Sequence, residues 1–340
     1  MLANQQKIAT SAAAHGPSEL DRVDYLDGWR GLAIGLVLFA HFAPNTGSFD
    51  FGRAGVDVFF CLSGFLMSNI LFLRRVPLGT FYKRRVSRIL PVFFLFAITV
   101  FVSSWYLTGS FRWQEFLATA TFLSTYFPAH FDIWQSPLPI GHLWSLNAEE
   151  HCYVFLSVLT LFALLRAREA WVLIGAGVLT IAIHVVYIKF PSTAPAYGDL
   201  GTEVVASHLL LSAGYFLIRQ QFLPLIRPWM PIAAFIAAMS CYSSSAPWWS
   251  SFIVSPFLLA FCVNHLSETP HFVRRMFGFQ WIRLLGIWSY SIYIWQQPFY
   301  KFQKQFLPGV AFFVAVAVSI CSFYLFENPV RAWLNKNWHR

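Results

Sequence analysis

Long apolar stretches separated by short polar segments run through almost the whole sequence. A membrane-spanning helix needs about 20 mainly apolar residues. Ten stretches meet this requirement: residues 26–43, 54–73, 89–108, 145–166, 170–190, 203–218, 228–242, 250–266, 284–300 and 308–326. An eleventh stretch, 112–127, carries polar residues on its first turn, and we predict an interfacial or re-entrant helix there. The pattern predicts an all-α fold, a polytopic membrane helical bundle with about ten transmembrane helices.

Lysine and arginine fall mainly on one side of the predicted bundle. If the N-terminus is inside, 18 of the 24 Lys and Arg lie in cytoplasmic segments, five lie in outer segments, and the remaining one is Arg30. This asymmetry is what the positive-inside rule predicts. We therefore expect both termini in the cytoplasm and the protein in the inner (cytoplasmic) membrane of the cell.

The composition agrees with a membrane protein and excludes two other classes. Hydrophobic residues make up 57% and charged residues 11% of the chain, whereas roughly a quarter of a soluble domain is charged. The net charge of +9 is not arranged as the aromatic-interleaved polar patch that nucleic-acid binding requires. The five cysteines lie in apolar segments without zinc-ligand spacing, so we predict no metal site and no nucleic-acid partner.

A single membrane domain is expected to account for most of the chain. Residues 1–24 form a polar cytoplasmic tail without the apolar core and cleavage site of a signal peptide. Residues 25–332 form the membrane domain, and residues 333–340 form a short cytoplasmic tail. Since no repeat or soluble domain is visible, we expect the chemistry within the bundle or at its two mouths, in contact with membrane lipids.

The first predicted span carries Arg30 and His41, which lie eleven residues apart. Three helical turns separate them, so they share one face at a distance of ~16 Å. Arg30 would lie near the cytoplasmic boundary and His41 in the outer half. Each has a simpler interpretation, since an arginine near a helix end can snorkel and a histidine can serve helix packing. The pair on one face favours a polar path through the bundle.

Carboxylates occur near the predicted outer ends of two further spans. Asp57 would lie near the level of His41, where it could orient the imidazole and raise its basicity; a favourable charge at a helix N-terminus is the alternative. Glu149 and Glu150 are successive residues about 100° apart around a helix, so one of them should face the bundle. A buried carboxyl there could act as acid or base beside His41. Helix capping together with Ser145 is the alternative.

The densest basic segment is 81-FYKRRVSRILP-91. If it is helical, Arg84 and Arg88 share a face, and Arg85 and Arg88 are neighbours at i, i+3. Arginine binds phosphate bidentately, so the group suits a polyanionic nucleotide such as coenzyme A. An anchor for anionic lipid explains the same residues equally well.

Polar side chains also lie inside the ninth predicted span, at Tyr290, Tyr293 and Gln296. At that depth they are costly unless they line a cavity or hydrogen-bond across helices. Interfacial packing is the alternative for the two tyrosines.

These stretches, in this order, closely resemble the acyltransferase-3 family of integral membrane O-acyltransferases. The opening motif of that family, Arg or Lys followed by ten residues and His, is matched by Arg30 and His41. Its later blocks resemble GVDVFFCLSGFL, FYKRRVSRILP, HLWSLNAEEHCY, SYSIYIWQQP and FENP. The resemblance covers about residues 26 to 332 and is specific as a set, although no single block would suffice.

The resemblance implies an O-acyltransferase that takes an acyl group, usually acetyl, from cytoplasmic acetyl-CoA or another acyl-CoA and places it on a glycan hydroxyl at the outer side. His41 would be the catalytic or acyl-relaying histidine, with Arg30 as its partner. Arg85 and Arg88 match the family's Arg-x-x-Arg for the coenzyme A phosphates, to which Arg84 is added. The conserved acidic position is matched by Glu149 or Glu150.

The same resemblance suggests substrate-binding residues and shows two departures. The candidates for substrate contact are Trp144, Ser145, Tyr290, Tyr293 and Gln296. Many family members have His where this chain has Gln296, so this side chain cannot perform acid–base chemistry and is assigned to positioning. His151, in place of a common Gln, is a milder departure.

A non-catalytic transporter or flippase of a glycan or lipid is the rival interpretation, because it would show the same spans and intramembrane charges. It should also show two related halves, which are not visible between 26–166 and 170–326. The acceptor stays open among lipopolysaccharide, exopolysaccharide, another glycan or glycolipid such as a lipochitooligosaccharide, and a small secreted metabolite. Some relatives carry a periplasmic hydrolase-like domain, and none follows Arg340. We therefore expect the membrane domain or a separate periplasmic partner protein to complete the transfer.

Overall fold

The computed structural model describes residues 24–43, 47–127, 136–195, 198–307 and 309–338. Within these ranges all regular structure is helical, apart from one isolated antiparallel bridge between Phe49 and Ser243. The predicted all-α fold is confirmed.

Thirteen principal helices follow the apolar stretches of the described chain. They are α1 (Asp24–Phe42), α2 (Phe51–Ser68), α3 (Leu78–Thr108), α4 (Trp113–Ala120), α5 (Leu143–Leu159), α6 (Glu169–Lys189), α7 (Ser207–Ile218), α8 (Met230–Ser240), α9 (Ser255–Asn264), α10 (His271–Phe277), α11 (Gln280–Lys301), α12 (Val310–Ser322) and α13 (Asn328–Asn337). π-helical turns, Asn69–Leu73 and Phe323–Glu327, extend α2 and α12. Short helices, Thr202–Val205 and Ser250–Ile253, precede α7 and α9. The 3-10 turns are Ala163–Leu165, Pro191–Thr193, Arg219–Gln221, Leu223–Leu225, Leu266–Glu268 and Gln303–Gln305.

Four helical segments of the described chain are long and apolar enough to cross a membrane. They are Phe51–Leu73, Leu78–Thr108, Glu169–Lys189 and Val310–Asn337. Large apolar side chains such as Tyr106, Leu107 and Leu164 are exposed on the outside of the bundle, where lipid would cover them. The fold is therefore that of a multi-pass membrane protein. In the stretch 112–127 the structure has only the eight-residue α4, too short to span.

The basic segment and the apolar stretch that follows it form one continuous helix, α3. This helix begins at Leu78, eleven residues before the predicted start at 89, and continues through Pro91. The arginines at 84, 85 and 88 are therefore helical, as the phosphate-binding interpretation required. Buried Phe93, Phe96 and Phe101 then anchor α3 in the core of the bundle.

Helices α1 and α11 run parallel and touch through their backbones. A Cβ atom added at Gly31 would lie 2.1 Å from the Ile282 carbonyl oxygen, and one added at Gly286 would lie 1.7 Å from that of Asp27. Small residues permit this close approach where helices pack inside a membrane. The contact fixes the height of α1 against α11 and brings His41 beside Gln296.

Neighbouring helices give the bundle two distinguishable ends. Helix α2 runs antiparallel to α1, since Gly55 packs against Ala33 and Gly52 against Ala40. Arg30, Arg85 and Arg88 therefore lie towards one end, which we call the basic end. The other end, which carries the C-terminus of α1 and the N-terminus of α2, is the His41 end.

Candidate active site

One cavity lies between α1, α2, α3, α5 and α11. It contains about 840 Å³ of empty space, with its open mouth included. Apolar side chains of α2, such as Phe59 and Leu66, form part of its wall. Its charged and polar lining comes from Arg30, Ser63, Arg85, Arg88, Ser145, Glu149, Tyr153, Ser289, Tyr290 and Tyr293. An apolar pocket with a few converging polar groups is the usual form of a small-molecule site.

Both adjacent glutamates of α5 are engaged in hydrogen bonds, but with different partners. Glu150 binds Arg85, with 2.7 Å between Oε1 and Nη2 and 2.9 Å between Oε2 and Nε. Glu149 accepts a hydrogen bond of 2.5 Å from the Ser63 hydroxyl and another from the Tyr153 hydroxyl. Glu149 lines the cavity, which matches the prediction that one of the pair faces the bundle.

Two arginines of the cavity carry charges that no side chain balances by contact. Within the described chain, neither Arg30 nor Arg88 forms a hydrogen bond or an ion pair, whereas Arg85 is held by Glu150 and lies 3.4 Å from the centre of the Tyr153 ring. A largely desolvated guanidinium without a counter-ion is unfavourable. The pair Arg30 and Arg88 is therefore a candidate site for an anion.

The cavity ends at a pair of hydroxyl groups on α5 and α11. The Tyr293 hydroxyl donates to the backbone carbonyl of His142 over 2.7 Å. Ser145 lies 2.6 Å from the same hydroxyl and must be the donor to it, because the Tyr293 proton is already used. On the far side of the cavity, Tyr290 donates to the Ile89 carbonyl of α3 over 3.0 Å. These bonds tie α3, α5 and α11 together around the cavity.

His41 lies about one helical turn beyond Tyr293 along α11. Its Nδ1 is 2.6 Å from Oε1 of Gln296, and its ring stacks on Tyr300 with 4.2 Å between centroids. An amide oxygen can only accept, so Nδ1 carries the hydrogen and Nε2 of the neutral ring keeps its lone pair. Gln296 thereby fixes the tautomer that leaves Nε2 available as a base, which agrees with its assignment to positioning.

Asp57 lies in a different polar cluster and is not bonded to His41. Its buried carboxylate receives Arg53 Nε at 3.0 Å and the Tyr242 hydroxyl at 2.8 Å, and His208 Nδ1 is 3.5 Å away. The predicted stretch starts at residue 54, whereas α2 starts at Phe51, so Asp57 lies six residues after the first residue of the helix. Its bonded partners belong to α2 and to the turn after α8, not to α1. The partner that holds the His41 ring is Gln296 instead.

Three further candidates lie outside the cavity. Arg84 is exposed on α3 near the basic end. Trp144 is buried, with its ring 5.4 Å from the Arg53 guanidinium and in edge contact with Phe60. Glu150 lies behind Arg85 rather than on the cavity wall. His151, the milder departure from the family pattern, hydrogen-bonds Thr202 over 2.7 Å.

Sequence reasoning missed three polar residues of the cavity wall, Ser63, Tyr153 and Ser289. The bond of Ser63 to Glu149 joins residues 86 positions apart, which spacing along the sequence does not reveal. Tyr153 follows Glu149 by four residues, so their shared helix face was a usable signal. Among the described residues, no group of three His, Cys, Asp or Glu side chains could hold a metal ion.

Comparison with known proteins identifies the family of the chain. The family model described as an acyltransferase domain, that of acyltransferase-3, matches residues 23–327. The chain is 25% identical to the peptidoglycan O-acetyltransferase OatA of Listeria monocytogenes over 307 residues, which cover 81% of this chain and 49% of that protein. It is 28% identical to the putative peptidoglycan O-acetyltransferase YrhL of Bacillus subtilis over 310 residues, which cover 80% of this chain and 48% of that protein.

More distant similarity extends to a putative O-acetyltransferase of Staphylococcus aureus, at 22% identity over 90% of this chain and 57% of the relative. The chain spans about half the length of the curated relatives it matches. No solved structure matches it. Because the family model covers most of the chain, including every residue of the cavity, the chain belongs to the acyltransferase-3 family.

Proposed function

We propose that this protein is a membrane O-acyltransferase that moves an acetyl group from cytoplasmic acetyl-CoA to a carbohydrate hydroxyl on the outer side of the inner membrane. The observation that carries the proposal is one polar path. Its first part is the cavity lined by Arg30 and Arg88, and its second part is His41, which lies about one helical turn beyond Tyr293 and whose Nε2 is left free by the bond to Gln296. The names of the relatives, peptidoglycan O-acetyltransferases, support a glycan acceptor and an acetyl group.

The donor would bind with its phosphates at the basic end. Arg88 and Arg30 supply guanidinium donors that match phosphate oxygens bidentately. Arg84, exposed one turn before Arg88, would meet a phosphate at the mouth. Arg85 contributes by holding Glu150 and packing on Tyr153, so its role is to shape the wall rather than to bind the anion alone.

The acyl group would travel along the cavity towards the Tyr293 and Ser145 hydroxyl groups. These two residues lie between the cavity and His41, so their hydrogen bond must open before the thioester reaches the imidazole. Glu149 remains beside the path, held by Ser63 and Tyr153, and supplies negative potential that keeps neighbouring guanidinium groups oriented.

In the transfer step, His41 Nε2 would take the proton of the acceptor hydroxyl. The hydroxyl oxygen then attacks the thioester carbonyl carbon, the C–S bond breaks, and coenzyme A leaves as a thiolate that recovers the proton from the imidazolium. The Nδ1 hydrogen bond to Gln296 keeps the ring in the orientation that directs Nε2 away from α11.

The proposed topology has ten spans with both termini in the cytoplasm. It places the basic end on the cytoplasmic side, where acyl-CoA is made, and His41 towards the outer side. Exposed Lys83 and Arg84 at the start of α3 support this orientation.

The test is transfer in cells that lack the native gene and are complemented with variants. Ester-linked acetate, released from envelope polysaccharides by mild base and measured by mass spectrometry, should be restored by wild type and by His151→Ala but not by His41→Ala. His151 is the matched control because its partner is Thr202, outside the cavity. Wild-type acetate with His41→Ala would refute the mechanism. Purified protein that neither binds nor consumes acetyl-CoA would favour the transporter interpretation.

A further inference from the structure

A second cleft opens at the His41 end, outside the path described above. It contains about 1010 Å³ of empty space with a wide mouth. One wall is formed by Phe49 and Asp50 before α2 and by Arg53 on the first turn of α2. The other wall is the turn between α8 and α9 with Tyr242 and Trp248. This volume includes the open mouth, and the space is far larger than an ion requires, so it has room for sugar-sized ligands.

Backbone hydrogen bonds hold the two walls of this cleft together. Asp50 N donates to the Tyr242 carbonyl over 2.9 Å, and Ser244 N donates to the Ser48 carbonyl over 2.8 Å. Asp50 also caps α2 by accepting from Arg53 N at 2.9 Å. The cleft is thus preformed, which lowers the entropic cost of binding a ligand.

Arg53 lies at the base of the cleft, and only one of its guanidinium nitrogens is used in hydrogen bonds within the described chain. Its Nε binds Asp57, and Asp57 is held in turn by Tyr242, which also bonds Ser255 over 2.8 Å. No acceptor in the described part of the chain binds either Nη atom of Arg53. These terminal donors are therefore fixed in direction by the Asp57 contact and available to a ligand.

The charges and rings around the cleft indicate the class of ligand. Asp50 and Asp57 balance Arg53, so the cleft does not favour an anion such as phosphate. Trp248 stands at the rim with 60% of its surface exposed. An exposed indole beside fixed donors and a carboxylate suits a sugar, whose C–H face stacks on the ring while its hydroxyl groups donate and accept at the edge.

The second cleft and His41 lie at the same height on α1. Gly52 packs against Ala40, the residue before His41, and the Phe39 and Phe51 rings meet with 4.7 Å between centroids. One helix diameter, about 10–12 Å, separates opposite sides of α1. A chain of sugars can cover that distance, whereas a single sugar ring in the second cleft cannot reach His41.

We propose that the second cleft is a binding subsite for a neutral stretch of the acceptor saccharide, one or two sugar units away from the hydroxyl that is acetylated. This inference rests on the proposed function for its account of the acceptor. Trp248 would stack on one ring, and Arg53 and Asp50 would bind its hydroxyl groups. The enzyme would then require an oligomeric acceptor.

The experiment measures binding of neutral oligosaccharides to the full chain in lipid nanodiscs. The probes are the β-1,4 tetramers of N-acetylglucosamine and of glucose, and the readout is saturation-transfer NMR with a titrated Kd. Trp248→Ala should raise Kd at least tenfold for the tetramer that wild type binds. Ser244→Trp, which fills the cleft, should do the same. Trp229→Ala is the matched control, since Trp229 is 61% exposed and does not line the cleft.

The outcomes separate this inference from the proposed function. Equal Kd values for wild type and Trp248→Ala, or no binding of either tetramer by wild type, would overturn the saccharide subsite. Thermal unfolding of each variant establishes that it is folded before its Kd is scored. A different outcome is tetramer binding that depends on Trp248 together with no ester-linked acetate in the complemented cells. It would refute the proposed acetyl transfer but leave the cleft as a saccharide site.

Discussion

Gln296 lies beside His41, at a position where the family resemblance suggests a histidine. The structure shows what its amide contacts. Its amide oxygen receives the Nδ1 hydrogen of His41 at 2.6 Å, and the residue is fully buried. A hydrogen bond of this kind contributes about 0.5–1.5 kcal/mol, more where charge develops on the ring. In the proposed mechanism Gln296 is thus a positioning residue, since it would act on the reaction through His41.

Replacing Gln296 tests that task. Gln296→Ala should lower kcat of acetyl transfer roughly tenfold with acetyl-CoA affinity unchanged, because only the orientation of the ring is lost. Gln296→Glu should restore most of the rate, since a carboxylate also accepts from Nδ1 and raises the basicity of Nε2. Steady-state kinetics of the purified variants would check both expectations, and a wild-type kcat for Gln296→Ala would contradict them.

The proposed acetyl-CoA site can be tested by comparing substitutions of Arg88 and Arg84. They lie one turn apart on α3, but only Arg88 lines the cavity. Arg88→Ala removes a charge-assisted contact worth about 1.5–3 kcal/mol and should weaken binding of a non-hydrolysable acetyl-CoA analogue tenfold or more. Arg84→Ala should weaken it less. Calorimetry on purified variants measures both affinities. Equal affinities for wild type and Arg88→Ala would contradict the proposal that acetyl-CoA binds in this cavity.

The candidate site residues could be selected from the sequence, and their roles stay predictions, whereas their partners could not be predicted. Spacing placed Arg30 and His41 on one face and made one of two adjacent glutamates face inward. It did not show that Glu149 meets Ser63 or that Asp57 meets Tyr242, 185 residues away. Such pairs depend on which helices become neighbours, and periodicity within one helix carries no information about that.

At the scale of helices, the α1–α11 contact is the most demanding feature of the fold. An added methyl group at Gly286 would collide with the Asp27 carbonyl, and backbone atoms cannot rotate away. Gly286→Ala should therefore destabilise the protein by about 1–3 kcal/mol, occasionally more. Gly35→Ala is the control, because nothing lies within 4 Å of the added atom, and better helix propensity should make it neutral or slightly stabilising.

Thermal unfolding in one detergent measures this pair of variants. The expected result is a lower Tm for Gly286→Ala and an unchanged or higher Tm for Gly35→Ala. A Tm for Gly286→Ala equal to that of wild type would show that the two backbones can separate without loss of stability.

Helix boundaries differed from the sequence analysis for one physical reason. Hydropathy reports where lipid or core surrounds a helix, but helical hydrogen bonds continue into water wherever the backbone allows. Helix α3 therefore starts at Leu78 with exposed Lys83 and Arg84 on its first turns. The existence of the helices was predictable from the hydropathy pattern, whereas the residues at which they begin and end could be located only from the backbone structure.

For the whole molecule, the fold class and the family were both within reach of the sequence. Apolar stretches predicted the helical bundle, and the ordered set of motifs predicted acyltransferase-3, which the family model confirms. The number of spans and the side of each terminus stay predictions. The separation of two polar regions, one around the cavity and one around Asp57, was not predictable, because both draw on the same helix α2.

The glycine contact between α1 and α11 also decides which part of the protein can move. Two helices whose backbones touch slide past each other poorly, so we expect His41, Gln296 and Tyr293 to move together. Ser145 belongs to α5, which meets α11 through the Tyr293 hydroxyl, bonded both to Ser145 and to the His142 carbonyl just before α5. In the proposed mechanism, the thioester would therefore reach His41 by a displacement of α5 away from α11, while the bond to Gln296 holds the imidazole in place.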